Sequence, residues 1–240
     1  MPDNEFFLSI IIPVFNEEMK IGKDLEKISE YFNKQPYTYE VVVVNDGSTD
    51  NTLEKTKTAA KSVKNFQLVA YEHNKGKGYA VRQGVFASRG EYVFFVDAGY
   101  CVPFNETEKG IRLLKEGNDI ALGSRLLKQS IIVVKQPFYR TIAGRTFSFL
   151  VKTFIGLKGI IDTQCGFKLF TAKCAKDIFK RQKIDGFTFD AEVLLLARRS
   201  GYKIAEFPVQ WACDKDSKLK PVAHTFKILS EILKIRLGKK

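Results

Sequence analysis

The sequence predicts an α/β fold with a mostly parallel, Rossmann-like central sheet flanked by helices, and three observations predict it. Short runs rich in Val, Ile and Phe alternate with stretches of helical periodicity through the first part of the chain. The runs carry few polar residues, as suits strands buried on both faces of a parallel sheet. Most of them end in a polar cluster, which collects the chemistry along one sheet edge, where open α/β sheets place their ligands.

Phe6 to Val14 is apolar except for Ser9 and Pro13 and predicts the first strand. It gives way at Pro13-Val14-Phe15-Asn16-Glu17-Glu18 to a helix whose apolar positions are Ile21, Leu25, Ile28, Tyr31 and Phe32. Val41 to Val44 is a second buried strand, ending in Asn45-Asp46-Gly47-Ser48-Thr49-Asp50 before a helical stretch from Thr52 to Val63. Phe66 to Tyr71 is a third, followed by His73-Asn74-Lys75-Gly76-Lys77-Gly78 and a helix from about Tyr79 to Ser88. Tyr92 to Val96, apolar without a break, makes the fourth and delivers Asp97 to its carboxyl end, with Ala98 and Gly99 beyond. A carboxylate there, with small residues beside it, suits a divalent cation held against a diphosphate. Taken singly, a strand-end Asp, an Asp-Gly step and a Gly-Lys-Gly turn are also ordinary turn chemistry.

The second half is less regular. Ile111 to Lys115 reads as helix, and Asp119 to Leu122 as a short strand ending in Gly123-Ser124-Arg125. The pattern loosens from Lys128 to Lys135, and Tyr139 to Ile155 is an apolar helix carrying Arg140, Arg145 and Lys152. Asp162 to Phe170 is a turn and strand, helices follow at Ala172 to Arg181 and Asp190 to Ser200, and Lys203 to Val209 is a last strand. Val222 to Lys240 predicts an amphipathic C-terminal helix that either packs on the domain or lies in a membrane interface. Asp190 and Glu192 are adjacent-but-one on a helix, so at most one of them faces a pocket. His73 and His224 lack a second ligand nearby and read as surface or packing residues. With no repeat or linker, residues 1–240 are expected to form a single domain.

Charge is unevenly placed. The chain carries a formal +12, yet residues 1–97 hold 12 Lys and Arg against 14 Asp and Glu, whereas residues 98–240 hold 27 against 13. The second half is therefore expected to face an anion: nucleic acid, an anionic membrane surface or a phosphorylated substrate. Nucleic acid is supported by charge alone. The four cysteines, Cys101, Cys165, Cys174 and Cys213, have neither zinc-ligand spacing nor a disulfide framework. The first residues lack a signal-peptide pattern, and no apolar run is long enough to span a bilayer, so a cytoplasmic, membrane-peripheral protein is expected. Asn16 and Glu17, Asp46 and Asp97 converge as acceptors suited to a base, a ribose and a metal-bound diphosphate, the parts of a nucleotide-sugar.

The order of Pro13 to Glu18, Asn45 to Asp50, Gly76-Lys77-Gly78-Tyr79-Ala80-Val81-Arg82, Asp97-Ala98 and Gly123-Ser124-Arg125 resembles inverting glycosyltransferases of family 2, with the GT-A fold. Asp162-Thr163-Gln164-Cys165-Gly166-Phe167-Lys168-Leu169-Phe170, with Trp211 and Ser217-Lys218-Leu219, narrows the likeness to the dolichyl-phosphate glucosyltransferase branch. The resemblance implies a nucleotide-sugar half at 1–125 and an acceptor half at 126–240. It implies a donor site of Pro13, Phe15, Asn16, Glu17, Val44, Asp46, Lys77, Asp97 and Ala98, with Phe15 in place of a more usual Tyr. Asp97 is the expected metal ligand for Mg2+ or Mn2+. Asp97, Arg125 and Arg140 are the expected catalytic residues, and Arg125, Arg140 and Lys218 are expected at the acceptor phosphate. The implied partners are UDP-glucose, a polyprenyl phosphate and a membrane surface, with no nucleic acid.

The implied reaction makes physical sense of the charge. A polyprenyl phosphate oxygen is already anionic near neutral pH and needs no general base. Two phosphorylated substrates repel, and a unit charge pair at 4 Å is worth about 4 kcal/mol at an effective dielectric near 20, so the site must supply cations. The sequence departs from the family at Gly99, where the usual motif is Asp-Ala-Asp, and the expected metal site is weakened accordingly. A hydroxyl acceptor, with Asp190 or Glu192 as base, or a nucleotide-sugar binder without turnover are the competing readings.

Overall fold

The computed structural model describes residues 5–137, 144, 156–157, 159–214, 230–232 and 235. Its core is a seven-stranded sheet in the order β3-β2-β1-β4-β7-β5-β8. The strands are β1 (Phe6–Val14), β2 (Tyr39–Asp46), β3 (Phe66–Tyr71), β4 (Gly90–Val96), β5 (Ile120–Ser124), β7 (Phe167–Thr171) and β8 (Ile204–Pro208). β1, β2, β3 and β4 are mutually parallel, as are β5 and β8, while β7 runs antiparallel between β4 and β5. The sheet is mostly parallel, as the sequence predicts.

The apolar runs divide between two cores by strict alternation. Ile11, Val42, Val44, Val93 and Phe95 face one side, where they meet α3 (Lys77–Ala87), α5 (Ala172–Arg181) and α6 (Phe189–Arg199). Ile10, Ile12, Val41, Val43 and Phe94 face the other, with α1 (Ile21–Phe32) and α4 (Thr107–Lys115). Each strand must be apolar on both faces, which is why the runs lack the polar alternation of a half-exposed sheet. Ile21, Leu25, Ile28 and Phe32 of α1 are buried at helical spacing. The remaining helix of the first half, α2 (Thr52–Ala60), buries only Thr52 and Thr56.

Several boundaries differ from the sequence reading. α3 starts at Lys77, so the second half of the Gly-Lys-Gly turn is already helical. The stretch from Lys128 to Lys135, where the pattern loosens, contains a strand, β6 (Ile131–Val134), paired in parallel with β9 (Gln210–Ala212) in a separate two-stranded ribbon. Ile131 to Val134 is as apolar as a buried strand, but no helical stretch and polar strand-end cluster accompany it to place it in the series. The predicted helix Tyr139 to Ile155 lies outside the described residues except for Gly144, and of Val222 to Lys240 only 230–232 and 235 are described. There Ile232 and Ile235 are buried in the core beside α6. Among the described residues no helix is long and apolar enough to cross a membrane.

Candidate active site

The chain lays down β1, β2 and β3 outward in one direction and then returns to place β4 on the other side of β1. That reversal opens a crevice at the carboxyl ends of β1 and β4, where Pro13 to Glu17 and Asp97 emerge.

On the β2 side the polar residues are held by backbone and hydroxyl groups. The Asp46 carboxylate accepts from Asn74 Nδ2 at 2.8 Å, from the Lys75 amide at 2.8 Å and from the Gly76 amide at 3.0 Å. Asn16, in a left-handed turn with φ 55°, accepts from the Thr49 amide at 2.8 Å, while its own amide donates to Ser48 Oγ at 3.0 Å. The Glu17 amide donates to Thr52 Oγ1 at 2.7 Å. The loops after β1, β2 and β3 are thus braced on one another. Pro13 and Phe15 are half-buried beside them. Val44 is fully buried, packed in the core with Ile11 and α3, so its side chain presents no surface to the crevice.

Asp97 is held differently. The Lys77 ammonium straddles its two carboxylate oxygens at 2.7 and 2.8 Å. The Asp97 amide donates to the Gly166 carbonyl at 3.0 Å, and a Cβ at residue 166 would overlap the Asp97 carboxylate, so this contact requires glycine. Behind them lies a second pair, Lys168 Nζ to Asp190 Oδ1 at 2.6 Å, both nearly fully buried. Lys168 also donates to the Cys165 carbonyl at 2.5 Å. Burial pulls the Lys77 ammonium toward its neutral form, but Asp97 and Asp190 outweigh it and raise its affinity for the proton. Burial raises Asp190, opposed by Lys168 and Lys77. Cys101 is pushed up to about 12 by burial and then by Asp97, and stays a thiol.

Of the Asp190 and Glu192 pair, only Asp190 faces this cluster. Glu192 accepts from the Lys183 and Ile184 amides, at 2.7 Å from the latter, and fixes the segment before α6. The helical spacing that separates the two residues sends one to the cluster and one to the backbone.

At Gly99 the backbone has φ 101°, a region that favours glycine. Its amide donates to Asp24 Oδ2 at 2.7 Å, and burial pushes the Asp24 carboxyl up to about 6, partly offset by that bond. A Cβ at residue 99 would stand 3.4 Å from Asp214 Oδ2. Asp214 pairs with Lys20 at 2.7 Å, and Lys20 pairs with Glu17 at 2.8 Å. The protein therefore places a carboxylate from the far end of the chain beside the position that lacks one. Among the described residues no three His, Cys, Asp or Glu side chains form a metal-binding group. So sparse a donor set fits a divalent ion carried in by a diphosphate rather than one held by protein alone.

Arg125 follows β5 and forms a two-pronged pair with Asp162: Nε to Oδ2 at 2.7 Å and Nη2 to Oδ1 at 2.9 Å, with its amide also donating to Oδ2 at 3.0 Å. Its guanidinium carbon lies 5.5 Å from the Trp211 ring centroid. Burial favours neutral forms of both partners, but each charge holds the other: Asp162 lies below the usual carboxylate range and Arg125 above its own. Arg125 thus anchors the 162–166 loop that carries Gly166, with Asp162 in turn positioned by amide bonds to Glu206 at 2.7 and 2.8 Å from Ile161 and Asp162. Arg140 and Lys218 lie outside the described residues.

The structure thus brings Asp97, Ala98, Lys77, Asn16, Glu17 and Asp46 to one edge. It adds Lys168, Asp162, Gly166, Lys20, Asp214 and Asp24, which the sequence reading left without a role. Lys168, Asp162 and Gly166 sit in the stretch Asp162 to Phe170 that narrows the resemblance, which was the available signal. Nothing in the sequence pairs Lys20 with Asp214.

The model of the family described as "Glycosyl transferase family 2" matches residues 9–179. The human dolichyl-phosphate beta-glucosyltransferase is 35% identical over 96% of this chain and 75% of its own length. That of Saccharomyces cerevisiae is 34% identical over 98% of this chain and 76% of its own. Among solved structures, glucosyl-3-phosphoglycerate synthase from Mycobacterium tuberculosis, in complex with Mn2+, UDP and glucosyl-3-phosphoglycerate, superposes with a TM-score of 0.68. It covers 98% of this chain and 80% of the other at 18% identity, a likeness of fold.

Proposed function

The chain belongs to glycosyl transferase family 2 and is a glycosyltransferase, and we propose that it moves glucose from UDP-glucose onto the phosphate of a polyprenol such as dolichol, with inversion. The names of its relatives support the lipid-phosphate acceptor and the sugar. The observation that carries the choice of acceptor is the disposition of Asp190 and Glu192. A hydroxyl acceptor needs a carboxylate free to take its proton. Glu192 spends its oxygens on two backbone amides and Asp190 is enclosed against Lys168, so neither is presented as a base. A phosphate oxygen needs none. In this reading it attacks the anomeric carbon, the bond from that carbon to the donor diphosphate breaks, and UDP leaves with the electron pair.

The braced loops around Asn16, Glu17 and Asp46, with Pro13 and Phe15, would receive base and ribose. Asp97 would direct the diphosphate, and Lys77 beside it would neutralise charge as the bond breaks. Asp97 would be the protein ligand of Mg2+ or Mn2+, which when bound supplies further neutralisation of the departing diphosphate. Arg125 would reach phosphate only with its remaining N–H groups, its fork being held by Asp162. Arg140 and Lys218, outside the described residues, would by the family resemblance serve the acceptor phosphate, at a membrane surface on the cytoplasmic side.

The test is transfer of labelled sugar from UDP-glucose, with GDP-mannose in parallel, to detergent-dispersed polyprenyl phosphate, with Mg2+ or Mn2+ and with chelator. Lipid-linked glucose lost on chelation is the expected result. Nucleotide binding with no transfer to any acceptor would instead identify a binder without turnover.

A further inference from the structure

Both faces of β6 are exposed, that of Ile131 and Val133 more than that of Ile132 and Val134. A strand on a protein surface ordinarily buries alternate side chains, but Ile131, Ile132, Val133 and Val134 are 54%, 38%, 64% and 39% exposed. Among the described residues the strand pairs on one edge only, with β9. Leu126, also exposed, precedes it, and the exposed Lys128 and Lys135 bracket it. Grouped apolar side chains of this kind mark an interaction surface, and left bare they invite edge-to-edge association.

The ribbon is tied to the rim of the crevice. Ile131 N donates to the Val209 carbonyl at 3.1 Å, Ser130 Oγ to the Ser124 carbonyl at 2.6 Å, and Ala212 N to the Cys101 carbonyl at 2.8 Å. These bonds fasten it to the loops that follow β5 and β4 and carry Arg125 and Asp97. What covers it must therefore lie beside the site. Two bracketing lysines, in a half of the chain with 27 Lys and Arg against 13 Asp and Glu, select an anionic surface with an apolar interior.

We propose that the β6–β9 ribbon docks the protein on an anionic phospholipid bilayer, with Ile131 to Val134 entering the headgroup region and Lys128 and Lys135 meeting the lipid phosphates. The proposal rests on the lipid-phosphate acceptor reading and deepens it, by naming the surface that brings the crevice to the acceptor's headgroup.

The chain's single tryptophan, Trp211, is the β9 partner of Ile132 and so reports on the ribbon. The test measures binding to phosphatidylcholine vesicles with and without phosphatidylglycerol, and quenching of Trp211 by brominated acyl chains. Wild type is expected to bind the anionic vesicles and to be quenched. The double variant Ile131→Ser and Val133→Ser is expected to lose about tenfold or more in vesicle affinity. Its Trp211 emission without vesicles, and its transfer to a detergent-dispersed short-chain acceptor, should match wild type. Equal vesicle affinity for variant and wild type overturns the proposal. So does binding without quenching, which would place the contact elsewhere, or wild-type self-association that the variant abolishes, which would make the occupant a second copy. Vesicle binding through the ribbon without sugar transfer in detergent would overturn the acceptor reading and leave the docking surface standing.

Discussion

The loops after β1 and β2 and the cluster around Asp97 do similar positional work by different physics. Asp46 and Asn16 are satisfied by amides and an amide side chain, whose positions the turns fix. Asp97, Asp190 and Asp162 are each satisfied by a cation: Lys77, Lys168 and Arg125. The first arrangement suits a ligand part that is neutral and must be read by shape and hydrogen bonding. The second suits a place where phosphate charge arrives and departs, because a lysine or arginine brings a full positive charge where a backbone amide brings a partial one. The chain's uneven charge, near balance up to residue 97 and strongly positive after it, follows the same division.

The comparison is broken most severely at the buried pair. Lys168→Met leaves Asp190 without its cation in an enclosed site and should cost about 3–5 kcal/mol in urea denaturation. The double variant Lys168→Met and Asp190→Leu should recover most of that loss. A single variant as stable as wild type would show that the pair contributes little. Next, Asp97→Asn should lower kcat about a thousandfold and weaken UDP binding in the presence of Mg2+ or Mn2+, while UDP binding in chelator stays nearly unchanged. Kinetics and isothermal calorimetry separate these. On the other side of the comparison, Asp46→Ala removes three hydrogen bonds to residues 74–76 and should cost about 2–3 kcal/mol in stability. It should weaken UDP binding in chelator as well, as the loop loosens, where Asp97→Asn does not.

The smallest effect expected is a slope with pH. Asp24 titrates near 6 in the fold against 3.8 as its ordinary value. The folded form holds the proton more tightly, so this group favours the fold below about pH 4, and that contribution disappears as pH rises through about 6. Thermal melts across that window should show the decline in wild type and a flatter profile in Asp24→Asn. A decline of equal size in both would exclude Asp24 as its source.

Most of the parallel sheet is legible in the sequence because strands buried on both faces must be apolar throughout, as Val41 to Val44 and Tyr92 to Val96 are. β6 is equally apolar over Ile131 to Val134, but it lies outside the alternation of strands and helices that identifies the others. The antiparallel course of β7 between β4 and β5 is a matter of long-range topology that local composition does not encode. At the site, Asp46, Lys77 and Asp97 stand out as polar residues at strand ends. Lys168 does not, since a lysine within a strand signals a solvent face, and only Asp190 approaching from α6 makes its burial tolerable. Gly99 reads as a missing carboxylate, whereas in the fold Asp214 stands beside it.

In the proposed reaction, charge neutralisation stands in place of a general base. The measurement that tests it most directly compares a polyprenyl phosphate with the matching free polyprenol as acceptors for labelled glucose from UDP-glucose. Lipid-linked product with the phosphate and none with the alcohol is the expected result. Comparable product with the alcohol, lost on Asp190→Asn, would contradict it and restore a carboxylate base to the mechanism.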